Sequence, residues 1–519
     1  MPVLMLLGYV TLVLKWEDFA DYDDAFFTLS TLRGINLVPP VWPAIGRFFP
    51  LGRQEFNFVR HLTNSVAGYH AVPLTELLIV CCILCFLDGA LSITARLSLT
   101  AIFLVVPSVV TSFTGLVFSE FNVVFWLACM LVFVKFFEKH GSTAAAVAAA
   151  ISAQNMIYYK ETAFLVVVGF GAGRLVLRCR RADSGGWDRA RLNGSENRLD
   201  LCLITLGVIF LAYYEVVMFH HPGMQYASQF QIPWDKAILY YLKLDFLAIL
   251  LVLVALTRGC GILRGRLIAS PFWDGLALGG VACYAAYLHL RLCMPYYLAP
   301  VDFIAVLYVG RYVVLSWHKL RLTNRMMMSA LAVVVLLQCM SLSAFRLYER
   351  ENIIRAKAEL ATTIAARTYS DSTHVQRLFF PFSTPYIITE FASYLTYRHI
   401  RVEGFEPTAK SSAPRGVAIV SPAFTGDGRC LSYAEFLCHA AGSGPAPGDL
   451  IIELPDDLEP ESAASRYRAG GDVLFSYQPR PRILQSIYSS YSYFHIISLP
   501  FWFKDLPDRW LQASISQWK

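Results

Sequence analysis

The first residues with chemistry in them follow a short apolar run at positions 2–14: Trp16-Glu17-Asp18-Phe19-Ala20-Asp21-Tyr22-Asp23-Asp24-Ala25-Phe26-Phe27. Five carboxylates crowd between Trp16 and Asp24. So dense a cluster repels itself and must be solvated, paired or metal-bound. A solvated stop beside the membrane is the plain reading, since charge runs usually face water. Two features ask for more. The acids are interleaved with Trp16, Phe19, Tyr22, Phe26 and Phe27, which suits packing at a membrane interface. Residues 25–33 also pattern as an amphipathic helix, with Asp23 and Asp24 at its N-terminus, where backbone N–H groups hold a carboxylate in place.

The candidate cations are Arg47, Arg53, Arg60 and His61 in the same loop, with Lys160, His220, His221 and Arg291 further on. Arginine suits phosphate because its guanidinium is a planar fork of donors. Each also has an ordinary reading. Arg47 and Arg53 can pair with Glu55 or with lipid headgroups. Lys160-Glu161 reads either as a local ion pair capping a helix or, at a span boundary, as a pair facing a cavity. Adjacent histidines point in different directions on a helix, so His220-His221 is a poor metal site. Tyr296 and Tyr297 suit an interfacial belt. Glu120, in the short external loop 113–122, is a further candidate carboxylate, with a solvated acid as its ordinary reading.

The elements that must position these residues are membrane helices. Of 519 residues 56% are apolar and 16% charged, and the mean hydropathy is +0.48. Soluble domains carry about a quarter charged residues. The composition therefore excludes a soluble multidomain enzyme, a disordered chain and a small disulfide scaffold. Candidate spans are 2–14, 72–87, 97–110, 123–137, 143–157, 162–177, 199–219, 237–256, 272–290, 298–317 and 326–345, about eleven by hydropathy. Residues 2–14 follow no positive charge and so make a poor signal peptide.

Arginines collect in alternate loops: 178–198, 258–266 and 319–325. Positive-inside sorting puts those loops in the cytoplasm. The long loop 15–71 and the tail then lie outside, by counting from either end. The expected organisation is a transmembrane domain over 1–345, all-α and polytopic, followed by a small extracytoplasmic α/β domain over 346–519. In that tail, apolar runs at 416–420 and 449–454 stand between turn-rich stretches.

Ten of the twelve cysteines lie in or beside apolar runs, where a free thiol acts as a small hydrophobe. Cys430 and Cys438 fall in a polar region and can pair if it faces an oxidising compartment. No phosphate-cradling glycine loop with Lys-Ser/Thr, no His-Glu-x-x-His and no dinucleotide fingerprint is present. ATP-driven transport, zinc proteolysis and nicotinamide chemistry therefore lack support. The basic residues follow topology rather than forming an aromatic-laced patch, so no nucleic-acid partner is expected.

Asp23-Asp24-Ala25-Phe26 after the first span, followed by an amphipathic segment, resembles the GT-C membrane glycosyltransferases. Tyr159-Lys160-Glu161 at the start of a span adds to the likeness. So does Arg291 with Met294-Pro295-Tyr296-Tyr297-Leu298-Ala299-Pro300, similar to that family's late Tyr/Pro-rich segment. The resemblance covers roughly 1–345 and extends to the general build of bacterial arabinosyl- and aminoarabinosyl-transferases. It implies transfer of a sugar from a polyprenyl-phosphate carrier to an extracytoplasmic acceptor, which is a surface glycan, a lipopolysaccharide or a protein.

Such a transfer needs a carboxylate base near the acceptor hydroxyl and positive charge near the departing phosphate. The resemblance implies Asp23 or Asp24 as base, with inversion at the sugar carbon. Arg47, Arg53, Lys160 and Arg291 are then candidates for the donor phosphate. Asp21, Glu161, Tyr296, Tyr297 and His221 are candidates for substrate contacts. No cofactor is demanded, and a divalent metal at Asp21 stays open.

The partners implied are the lipid-linked donor, membrane lipids and the acceptor, at a bacterial inner membrane with the tail in the periplasm. The rival class is a multispan flippase or secondary transporter. Against it, no paired repeats are visible, and the intramembrane acids Asp245 and Asp302 are few and near span ends. A sensor or scaffold would make the acid cluster dispensable.

Overall fold

The computed structural model describes residues 2–15, 18–19, 31, 34, 36–42, 46–63, 65–179, 194–218, 233–244, 246–370, 375–381, 383, 385–403, 416–421, 444–454, 471–480 and 513–519. The chain divides into two compact units: Met1–Lys15 with Leu37–Ala344, and Trp16–Asn36 with Phe345–Lys519.

The first unit opens with α1 (Pro2–Lys15), an antiparallel pair β1 (Val41–Trp42) and β2 (Arg47–Phe48), and the short helix α2 (Gln54–Val59). Then come α3 (Val66–Phe86), α4 (Ile93–Leu104), α5 (Pro107–Thr114), α6 (Glu120–His140), α7 (Thr143–Tyr159) and α8 (Phe164–Cys179). After them run α9 (Ser195–Met218), α10 (Trp234–Leu244), α11 (Phe246–Leu263), α12 (Pro271–Leu290) and α13 (Ala299–Ser316). The 49-residue α14 (Leu322–Ser370) gives its residues up to Ala344 to this unit and the rest to the second.

Helix starts are set locally. Ser65, Ser92 and Ser142 each accept a hydrogen bond from a backbone N–H three residues on, satisfying donors that a helix leaves orphaned. Gly141 ends α6 at φ 65°, with Lys139 and His140 against the negative end of the helix dipole.

Among the described residues seven helices are long and apolar enough to cross a membrane, or eight if the bent pair α4–α5 is one span. This is a multi-pass membrane protein. The expected count of eleven is not reached on these grounds. At 14 and 17 residues, α1 and α7 fall short of the usual ~20. The 20-residue α12 is rich in glycine and aromatics and is the less apolar for it.

Two expected spans are also broken. The run 97–110 bends by 66° between α4 and α5. Pro107 disfavours helical geometry at Val106, which is extended at ψ 129°. The Val105 carbonyl released by the break accepts a hydrogen bond from Ser343 Oγ at 2.8 Å, as backbone inside a bilayer must. The run 237–256 is divided between α10 and α11, and Asp245 at the division lies outside the described residues.

Two helices approach almost backbone to backbone. Gly169 and Gly173 of α8 face Gly275 and Gly279 of α12. A Cβ on Gly279 would stand 2.6 Å from the Val166 carbonyl oxygen, and one on Gly173 would stand 2.8 Å from Gly275 Cα. Lipid tails give helices no hydrophobic reason to associate, so close packing of small residues does so. Directly after Gly173, the fully buried Arg174 reaches Glu138 at 3.1 Å and Asp200 at 3.0 Å. Arg178 meets the same two carboxylates at 2.7 Å each, closing a four-charge square across α6, α8 and α9.

The ten described cysteines are free thiols. Cys82 and Cys85, spaced like a metal motif, lie on α3, where the Cys85 sulfur sits 3.6 Å from the Thr100 hydroxyl. Cys430 and Cys438 lie outside the described residues.

The second unit holds β3 (Gln376–Phe379), α15 (Pro385–Tyr397), β4 (Val417–Val420), β5 (Leu450–Glu453), β6 (Gly471–Tyr477) and β7 (Ala513–Trp518). Both apolar runs singled out in the tail are strands, β4 and β5. The sheet order is β4-β3-β5-β7-β6. The strand β3 is parallel to β4 and β5, while β7 is antiparallel to β5 and β6. Phe379, Val420, Ile451 and Trp518 form a core on it. Asn352 of α14 is fully buried; its side-chain oxygen accepts from the Tyr477 hydroxyl at 2.8 Å and the Arg480 N–H at 2.7 Å.

Asp18 and Phe19 also belong to this unit. The Tyr394 hydroxyl donates to Asp18 Oδ2 at 2.6 Å, and Phe19 meets the Tyr397 ring edge-on at 5.2 Å.

Candidate functional site

The helix α7 ends because Lys160 is extended, at φ −154° and ψ 123°, before a single 3₁₀ turn leads into α8. That break sends two neighbouring side chains to different partners. Lys160 Nζ lies 2.8 Å from Glu120 Oε1 in the first turn of α6. Glu161 Oε1 lies 2.8 Å from Arg47 Nε on β2. The adjacent residues are therefore not each other's ion pair. Glu120, expected as a solvated acid, is 1% exposed, and its counter-charge 40 positions away makes that burial tolerable. Arg47 and Glu161 form the more accessible pair, with side chains 10% and 16% exposed.

Aromatic faces line these cations. Phe49 stands 4.5 Å from the Arg47 guanidinium, and Tyr297 stands 4.4 Å from the Lys160 ammonium. Tyr297 comes from the 3₁₀ turn Pro295–Leu298, whose proline starts the turn. It stacks on Tyr287 at 5.3 Å, and the Tyr287 hydroxyl shares a 2.6 Å hydrogen bond with Thr162. Tyr296 turns the other way and stacks on Phe118 at 4.3 Å.

Beside this group, Glu55 accepts a hydrogen bond from the Asn122 amide at 3.0 Å and is hydrogen-bonded to Tyr159. Burial pushes its carboxyl up to about 7, against the opposing pull of those bonds and of Arg53. Arg53 itself precedes α2 in the left-handed region, at φ 65°. Arg291 ends α12 at φ 55°, with its guanidinium 5.4 Å from the Trp234 ring.

Of the residues singled out from sequence, Arg47, Lys160, Glu161 and Tyr297 converge, with Tyr296 adjacent. Asp21, Asp23, Asp24 and His221 lie outside the described residues. Among the described residues no three His, Cys, Asp or Glu side chains group as metal ligands do. Sequence reasoning raised Glu120 as a further carboxylate without its Lys160 partner, and it missed Phe49 and the Glu55–Asn122 pair. One signal was available for Glu120: an acid abutting an apolar run needs a partner when that run is a span.

What the arrangement can do is hold two cations ready in a region largely closed to water. There they attract an anion far more strongly than they would in solution. Each cation is meanwhile neutralised by one carboxylate. Any anion that binds Arg47 must compete with Glu161, and that pair is the more exposed of the two.

The chain is similar to a solved oligosaccharyltransferase. That structure, from Archaeoglobus fulgidus in complex with Zn and sulfate, aligns at 12% identity and a TM-score of 0.40. The alignment covers 75% of this chain and 61% of that one. A likeness at this TM-score carries no argument about mechanism. No family model matches the chain, and no curated protein matches it.

Proposed function

We propose that this protein is a membrane glycosyltransferase that moves a sugar from a polyprenyl-phosphate carrier to an acceptor outside the cytoplasm. One observation carries the reading: Arg47, the adjacent Lys160 and Glu161, and Tyr297, from three distant parts of the sequence, meet in one buried, aromatic-lined cluster. The Asp-Asp-Ala-Phe segment supplies the other half of the chemistry. In the proposed step, the acceptor hydroxyl oxygen bonds to the anomeric carbon as the bond from that carbon to the phosphate oxygen breaks. The hydroxyl proton passes to the carboxylate of Asp23 or Asp24. The electron pair leaves with the carrier phosphate, whose added charge Arg47 and Lys160 offset, and the sugar carbon inverts. The setting is a bacterial inner membrane with the second unit on the periplasmic side.

The test is transfer of labelled sugar from polyprenyl-phosphate donors by the reconstituted protein, with folding followed in parallel by thermal unfolding. Removing a general base costs on the order of 100-fold or more. One of Asp23→Asn and Asp24→Asn therefore falls by at least that much while remaining folded, and Arg47→Lys falls less. If donor is never consumed, or if both Asn variants match wild type, the reading fails and transport becomes the reaction to assay. Chelation followed by Mg²⁺ or Mn²⁺ add-back decides metal dependence in the same assay.

A further inference from the structure

Toward the C-terminal ends of α8, α11 and α13, four arginines are each ion-paired. Arg311 is ion-paired with Asp88, and Arg258 takes Asp274 at 2.9 Å. Arg174 and Arg178 share Glu138 and Asp200 in the closed square described above. Four carboxylates thus meet four arginines. A fifth cation is left over. Lys135, on the last turns of α6, is half-buried among these groups, with Glu138, Asp88, Arg311 and Arg174 as its charged neighbours. Among the described residues it makes no ion pair and no hydrogen bond. Its ammonium lies over the rings of Phe272 and Trp273 at 4.1 and 5.2 Å, and the Arg311 guanidinium lies 4.8 Å from the same Trp273 ring.

A half-buried cation in the company of two arginines is costly unless something negative meets it. Two aromatic faces hold its direction but leave its three N–H donors unused. Phe272 and Trp273 open α12, so the positive end of that helix dipole adds to the field. The neighbouring Phe136 is 49% exposed, as a side chain facing acyl chains would be. We propose that Lys135, with Arg311 and Trp273, binds the phosphate of an anionic lipid headgroup. The donors receive a charged oxygen, the fifth cation is neutralised, and the acyl chains lie along the apolar face beside Phe136. This site is independent of the transfer chemistry proposed above.

The experiment uses the full-length protein purified in a neutral detergent, with phosphatidylglycerol, phosphatidylcholine or inorganic phosphate added. Thermal unfolding and lipid adducts in native mass spectrometry are both read. Phosphatidylglycerol is expected to raise the wild-type unfolding temperature and phosphatidylcholine to do little. The Lys135→Met variant should bind phosphatidylglycerol about five- to tenfold more weakly, as expected for loss of one cation near an anionic lipid. Lys135→Arg should keep the effect.

A crossover distinguishes ligand binding from mere structure. Without anionic lipid, Lys135→Met is at least as stable as wild type, because an uncompensated charge has gone. With phosphatidylglycerol the order reverses. The proposal is overturned if Lys135→Met keeps the full lipid effect, if both lipids act alike, or if inorganic phosphate alone reproduces the protection.

Discussion

The residue that most changes the picture of this protein is Glu120. Its burial beside Lys160 makes a prediction that its pairing alone can explain. Removing one partner strands the other charge in a low-dielectric setting, which costs about 3–5 kcal/mol. Glu120→Gln and Lys160→Met should each lower the unfolding temperature in detergent sharply, and the double variant should recover most of the loss. Additive losses would mean that the two groups do not depend on one another. Glu55 gives a second test. With its carboxyl raised to about 7 from the usual 4.5, the folded state keeps a proton that the unfolded state gives up. Its contribution to stability is complete below pH 4.5, declines as pH climbs through 7, and is flat above. Unfolding temperatures measured from pH 5 to 8 should show that decline, and Glu55→Gln should lack it. Of these side chains, Arg47, Lys160, Glu161 and Tyr297 were legible by type and position. Their partners were not, because the counter-charges lie 40 and 114 positions away in sequence and only the fold brings them near.

At the scale of elements, the apolar helices and two of the five described tail strands, β4 and β5, follow from hydrophobic runs, whereas the joints between them follow from single residues. Pro107 breaks a run that hydropathy alone would carry through, and the proline was visible in the sequence. The glycines at 169, 173, 275 and 279 repeat at the four-residue spacing of close helix contacts, yet spacing cannot tell which pair meets which. Their contact predicts that Gly279→Ala destabilises by about 1–3 kcal/mol, since the added carbon meets backbone rather than a movable side chain. Gly259→Ala on α11 is the control. Nothing lies within 4 Å of its added carbon, so it should be neutral or stabilising by up to about 1 kcal/mol. Thermal unfolding of both variants in one detergent decides the matter.

For the whole molecule, the hydropathy pattern led to the expectation of a membrane domain over 1–345 and a small α/β tail, and the chain holds apolar helices and a five-stranded sheet. What the pattern could not foresee is that Trp16–Asn36, read as part of the first loop of the membrane domain, groups with the tail. Hydropathy assigns a segment to the span it follows, whereas Asp18 is fixed by a tyrosine 376 positions later. Burial raises the Asp18 carboxyl above its ordinary range, while the Tyr394 hydroxyl and the charge of Arg398 pull it back. Tyr394→Phe therefore leaves a buried acid short of a donor, at about 1–3 kcal/mol. Limited proteolysis should then cut the segment around Asp18 sooner than in wild type, with the helices of the first unit unaffected. Equal cutting rates would show that this hydrogen bond does not hold the segment.

The glycine contact has a consequence beyond packing. A Cβ on Gly275 would stand 2.8 Å from the Arg174 Cγ, so the smallest enlargement there pushes on the stem of a fully buried guanidinium. Gly275 follows Asp274 and Gly173 precedes Arg174, which places two ion-pair systems directly on the contact between the helices. A steric fault of one carbon would be read out as an electrical one, in charges pulled from their partners. The four hydrogens that stand in for side chains along this seam are thus the spacing gauge for the charge lattice at that end of the molecule.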